Sequence, residues 1–164
     1  MQVTYCALWS DQRRAPTDVM SEEQARGLDR LGEPYAVVLG EPTAPDAVVE
    51  VAWKNEHLGV LFIDGQGRVH SKYSFRRQRD SRLFLSGITM WTYSAEAQFE
   101  FEADVVERIT FRQDGYVRRE IDDAESADLQ LTEYQDVPME SNWELVPRFG
   151  DWRSVARYDR DASV

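Results

Sequence analysis

From Ala47 to Phe75 the chain reads AVVEVAWKNEHLGVLFIDGQGRVHSKYSF, with short apolar runs separated by polar and turn residues. Runs of this length, rich in Val, Ile, Phe and Tyr, predict three successive strands. Asp64-Gly65-Gln66-Gly67 closes the last two as a hairpin, and Gly65 and Gly67 supply the positive φ of a tight turn. Pairing outward from a four-residue loop sets Ile63 against Arg68, Phe62 against Val69, Val60 against Ser71 and Leu58 against Tyr73. Alternation then places Leu58, Val60, Phe62, Val69 and Tyr73 on the core face. His57, Leu61, Ile63, His70 and Lys72 fall on the other, half-covered face.

The same pattern extends to both sides. Val3–Trp9 alternates as a first strand, and Ser10–Arg14 with Pro16 reads as loop. Ser21-Glu22-Glu23-Gln24 has the spacing of a capping box, which predicts a helix to about Leu31. Ala25, Leu28 and Leu31 point inward in that helix, Glu22 pairs with Arg26, and Gly32 with Pro34 ends it. Tyr35–Leu39 is a brief strand, and GEPTAPD (40–46) is a turn-rich connection. Leu83–Tyr93 has little polar content on either face and predicts a central strand, with Gly87 at a bulge. Ala97–Ala103 alternates most regularly, with Ala97, Phe99, Phe101 and Ala103 inward. Val105–Arg112 and Tyr116–Ile121 form a second hairpin around Asp114-Gly115. A three-residue loop there sets Arg108 opposite Glu120 and puts Ile109, Phe111, Val117 and Ile121 on one face. The tail NWELVPRFGDWRSVARY is too aromatic to remain in water and folds back over the body. Within it, Asp151 caps a short helix that buries Trp152, Val155 and Ala156.

The predicted fold is α+β and β-dominant. It is a bent antiparallel sheet or incomplete barrel of about eight or nine strands, with one N-terminal helix and a short C-terminal helix. A chain of 164 residues without a long linker gives one domain over 1–164.

Charge narrows the function classes. Thirty acidic against nineteen basic residues give a formal charge of −11, which opposes general nucleic-acid binding and favours a basic partner. A lone cysteine, Cys6, forms no internal disulfide and reads as a small core residue. With no signal-peptide pattern and no long apolar run, the expected location is cytoplasmic, without a membrane segment.

Catalytic and metal motifs are not found in the sequence. His57 and His70 are the two histidines, and the predicted register separates them by roughly 13 Å, too far for joint ligation. No metal site and no cofactor is therefore expected. Alternating Glu100 and Glu102 read as a solvated strand face, and the basic run Lys72–Arg82 as a loop paired with the chain's own acids. Between Glu120 and Glu140 stand eight acidic residues and no basic one, interleaved with Leu129, Leu131, Tyr134 and Val137. That strip suits docking on a basic surface, with charge for steering and an aromatic as anchor.

Small size, acidity and the missing catalytic motifs, together with VAWKNEHLGVLFIDGQGRV, resemble an α+β immunity family of bacterial polymorphic-toxin systems. The resemblance implies stoichiometric inhibition, in which the protein binds a cognate basic toxin and occludes its active site. The partner-binding residues would be Asp122, Asp123, Glu125, Asp128, Glu133, Tyr134 and Asp136. A reading from a different class is a small-molecule-binding barrel with an aromatic pocket, to which His57, His70 and Arg82 would contribute the polar groups. A third is an oligomer built on an apolar Leu61/Ile63 patch.

Overall fold

The computed structural model describes residues 1–160. Eleven strands and one helix follow in chain order: β1 (Val3–Ser10), β2 (Ala15–Met20), α1 (Glu22–Leu31), β3 (Tyr35–Glu41), β4 (Ala44–Ala52), β5 (His57–Ile63), β6 (Val69–Arg77), β7 (Arg82–Thr92), β8 (Val105–Phe111), β9 (Val117–Asp123), β10 (Gln130–Tyr134) and β11 (Trp143–Leu145). They form one antiparallel sheet in the order β10-β9-β8-β7-β6-β5-β4-β3-β1-β2, with β11 added alongside the start of β7. The order from β3 to β10 is a meander, each strand paired with its neighbour in sequence. The path is not closed, so β10 and β2 are its two ends. The strand count exceeds the expected eight or nine because β2, β10 and β11 lie in stretches without a clear apolar pattern. Pro16 sits in β2, where an end strand tolerates its missing N–H. The 40–46 connection is a tight β3–β4 hairpin instead of a loop.

The central hairpin keeps its predicted faces in a different register. Asp64 N–H donates to Arg68 O at 2.8 Å, so the loop is the three residues between them. Ile63 faces Val69, and a bulge then sets Phe62 against Ser71, Val60 against Tyr73 and Leu58 against Phe75. The shorter loop shifts the pairing by one residue and the bulge at His70 shifts it by one more. Two shifts restore the alternation, so Leu58, Val60, Phe62 and Tyr73 all enter the main core. Val69 lies before the bulge and joins the opposite face.

That main core also takes residues from β3, β4, β7, β8 and the tail. On the other face, Cys6, Trp9, Ala36, Val38, Val48, Leu61, Ile63 and Val69 form a second cluster, and Trp91 packs against it. Leu61 and Ile63 are therefore buried, which removes the expected apolar outer patch. Cys6 is fully buried there, and burial pushes its thiol up to about 11.

Helix α1 has the predicted capping box: Gln24 N–H donates to Ser21 Oγ (3.1 Å) and Ser21 N–H to Gln24 Oε1 (2.9 Å). Gly32 ends it in the left-handed conformation. Ala25 is fully buried against the sheet and Leu28 half-buried, but Leu31 is 68% exposed. Small Ala25 allows close approach to the sheet, whereas Leu31 projects from the last turn into solvent. Asp29 Oδ1 ties the helix down by accepting from both Tyr35 OH and Trp53 Nε1 at 2.7 Å.

The tail crosses the main core as expected. Phe149 stacks on Tyr5 at 5.3 Å, Trp152 Nε1 donates to Tyr5 OH, and Asn142 Nδ2 donates to Leu85 O. Trp152 and Val155 are buried in a 3-10 turn (Trp152–Ser154), and Asp151 makes no side-chain cap.

Ala97–Ala103 is not a strand. It belongs to the loop joining β7 to β8 and contains a 3-10 turn, and Phe101 is 84% exposed. Alternation alone does not make a strand when no neighbour offers a ladder, and here side chains take the backbone groups. Arg14 and Arg68 donate to the carbonyls of Gln98, Ser94 and Ala97, and Glu102 accepts from the N–H groups of Gln98 and Phe99. Among the described residues, no helix is long and apolar enough to cross a membrane.

Candidate interaction edge and a polar seam

The β8–β9 hairpin has the predicted register. Arg112 N–H donates to Tyr116 O at 2.9 Å across the loop, Phe111 faces Val117, and Arg108 faces Glu120. In an antiparallel ladder the backbone groups of successive residues turn to opposite sides. Counting from the Arg112–Tyr116 bond, Arg118, Glu120 and Asp122 turn toward β8, and Val117, Arg119 and Ile121 toward β10. Their partners on β10 are Tyr134, Thr132 and Gln130. Leu131 and Glu133 therefore direct their backbone N–H and C=O away from the sheet.

All five residues of β10 are exposed, including Leu131 at 49% and Tyr134 at 36%. The strand is anchored just past its end by Val137 N–H donating to Gly115 O at 3.0 Å. Gly115 has φ 91°, and a Cβ there would lie 3.0 Å from Val137 O. A glycine is needed at that turn for both reasons.

The structure gathers the predicted partner-binding residues at this end of the sheet. Asp122 and Asp123 end β9, Glu125 and Asp128 lie in the connection, Glu133 and Tyr134 stand on β10, and Asp136 follows it. All are exposed except the half-buried Asp123, which accepts from Glu125 N–H at 3.0 Å. Glu133 Oε1 accepts from Tyr116 OH at 3.1 Å. The neighbouring ion pairs are Arg118–Glu120 and Arg119–Glu107. Among the described residues, none of Asp122, Asp123, Glu125, Asp128, Glu133 and Asp136 enters an ion pair. The basic run does not neutralise them. Lys72 pairs with Glu50, Arg82 pairs with Asp80, and Arg77 lies over Trp53.

His57, His70 and Arg82 are not brought together. His57 faces Arg76 at one end of the β5–β6 ladder, while His70 sits in the bulge at the other end, its ring 5.3 Å from Tyr158. Arg82 lies over Trp143 at the start of β7. Burial lowers both histidines; Lys72 adds to the effect at His57, and Asp64 opposes it at His70. Both rings are therefore mainly neutral near pH 7. An open cavity of about 460 Å³ lies where the β1–β2, β3–β4 and β5–β6 turns meet, and Trp9 is its one aromatic lining residue. A second open cavity, of about 530 Å³, lies between the β7–β8 loop and the β8–β9 strands and is lined by Trp91 and Phe101. Many of the other aromatics pack on one another, as in Phe62–Tyr73, Tyr35–Trp152 and Phe84–Trp143.

One grouping escapes the sequence reading. Glu50 on β4 faces Gly59 on β5, and Lys72 Nζ donates to Glu50 Oε2 at 3.0 Å. A Cβ on Gly59 would lie 3.0 Å from Glu50 Oε2 and 3.2 Å from His57 Nε2. The bare glycine thus makes room for both polar ends. Asp11, from the β1–β2 turn, is raised by burial and by the charge of Glu50. Glu100, from the β7–β8 loop, is raised by burial and by Asp11, and Lys72 offsets both. Asp11 and Glu100 are thus the two carboxyls here that hold their protons more tightly than in water. Two signals in the sequence mark it: a glutamate inside the apolar run AVVEVA, and a glycine inside a strand pattern. Among the described residues, no three His, Cys, Asp or Glu side chains form a group able to hold a metal ion.

The chain matches no protein-family model, no curated protein and no solved structure.

Proposed function

We propose that this chain is a non-enzymatic binding protein for a basic protein partner, which docks on the acidic end of the sheet at β9 and β10. The observation that carries this reading is the set of exposed acids at one sheet edge that enter no ion pair among the described residues. Uncompensated charge at an interface raises association rates and selects for a partner of opposite sign. Tyr134 and Leu131 supply apolar contact beside the charges. The narrower form of the proposal is an immunity protein, which inhibits a cognate basic toxin by covering its active site. Acidity and the exposed edge support that form, since enzymes that act on nucleic acid carry basic surfaces.

The test compares two baits in an extract of the native host, the natural chain and an Asp122→Asn/Asp128→Asn/Glu133→Gln variant. The expected result is one stoichiometric basic protein that the natural bait retains, releases as salt rises, and loses on the variant. Equal recovery of that protein by both baits would reject the acidic edge as the docking surface.

A further inference from the structure

Resting on that reading, we propose that the partner docks by strand addition: an extended basic segment pairs with the open side of β10 and continues the sheet. The two ends of the strand path differ in a way that favours β10, and β11, whose outer side is also unpaired among the described residues, is only three residues long. β2 contains Pro16, which has no N–H, and it has left-handed residues at Asp18 within it and Arg14 just before it (φ 51° and 50°). Such features block edge pairing. β10 has neither proline nor a positive φ along Gln130–Tyr134, and its register with β9 is unbroken. The outward N–H and C=O groups of Leu131 and Glu133 remain to pair with an incoming strand.

Charge decides the occupant. β10 itself carries one acid, Glu133, but a second copy adding through its own β10 would bring the flanking acids of the 120–140 strip close to the same acids of the other copy, so self-pairing is disfavoured. An added strand runs beside Leu131 and Glu133 on one face and beside Thr132 and Tyr134 on the other. The first face also carries Arg118, Glu120 and Asp122 on β9, where Arg118 faces Glu133 but pairs with Glu120. Three acids against one arginine call for Arg or Lys along this face, with their aliphatic stems over Leu131, and β-branched residues fit beside Thr132 and Tyr134. The partner segment is thus an extended run in which basic and β-branched residues are interleaved.

The probe is the capped peptide Thr-Arg-Val-Arg-Val-Arg-Thr, titrated into the full chain at low salt. Two derivatives carry backbone N-methyl groups, one on the arginines and the other on the valines. In an added strand one set of N–H groups points at β10 and the other at solvent. Binding of the parent peptide is expected, with a loss of about tenfold or more for one derivative and little change for the other. Equal behaviour of the two derivatives would overturn strand addition, as would failure of the parent peptide to bind. Either result leaves the bait comparison intact, so the mode of docking and the acidic surface fail separately. A Glu133→Gln chain, which keeps the backbone edge, should weaken the parent peptide and reduce its salt dependence. Unchanged binding by that chain would remove the charge argument for a basic occupant.

Discussion

Gly115 holds the outer end of the sheet in place through two local constraints. Its φ of 91° is strained for any side chain, and the atoms a Cβ would meet are the backbone N and O of Val137. Backbone cannot swing aside as a side-chain end can. Gly115→Ala should lower stability by about 1–3 kcal/mol and loosen the segment that follows β10, as read by urea denaturation and amide exchange at Val137. The position was legible as a turn glycine, but its contact with Val137 was not, because that contact joins residues distant in sequence. The bulge at His70 was equally hidden. Nothing in Val69-His70-Ser71 marks an extra residue, so the expected pairing missed it.

The carboxyls at this scale carry opposite pH dependences. Glu100 has a folded value above its ordinary 4.5, because burial and the charge of Asp11 disfavour its carboxylate. Ionised at neutral pH, it opposes folding, and that cost disappears as pH falls through the raised value. Glu100→Gln should therefore stabilise the chain at pH 7, and its advantage should shrink on acidification. Asp64 behaves in the reverse sense. Burial raises it, but the backbone N–H groups of Arg68 and Gln66 and the Arg68 guanidinium together hold it below 3.8. Its contribution is fully present above that value and is lost as pH falls through the lower folded one. Asp64→Asn should destabilise at pH 7 and converge with the natural chain in acid. Thermal melts of both variants between pH 3 and 8 check the signs.

At the scale of elements, the sequence was most informative where two constraints coincided. The capping box and Gly32 bracket α1, and apolar alternation with a turn signal marks the β5–β6 and β8–β9 hairpins. It failed where alternation stood alone, as in Ala97–Ala103, and where a strand had no apolar pattern, as in β10 with its sequence QLTEY. Two phenylalanines separate these cases by experiment. Phe101 is 84% exposed in the loop, and Phe101→Ser should change stability by no more than about 0.5 kcal/mol. Phe111 is 3% exposed in β8, and Phe111→Ala should cost about 3–5 kcal/mol. Comparable losses for both, measured by chemical denaturation, would mean that the loop packs as the sequence pattern suggested.

At the scale of the whole molecule, fold and charge follow separate rules. The tail and α1 cover the inner face of the bent sheet, while Trp91 reaches the second cluster on the other face. The acidic strip was visible in the sequence as a run of charge. What the sequence did not show is that five of its residues pair with β9 and end the sheet, because β10 is defined by its neighbour more than by its own side chains. That placement turns a charged stretch into an edge with a defined register. The central claim is that the partner docks there. Its most direct test is amide hydrogen exchange across Gln130–Tyr134, with and without the captured basic partner. The account predicts fast exchange at Leu131 and Glu133 in the free chain and strong protection of both in the complex. Protection confined to other surfaces, with Leu131 and Glu133 still exchanging freely, would contradict it.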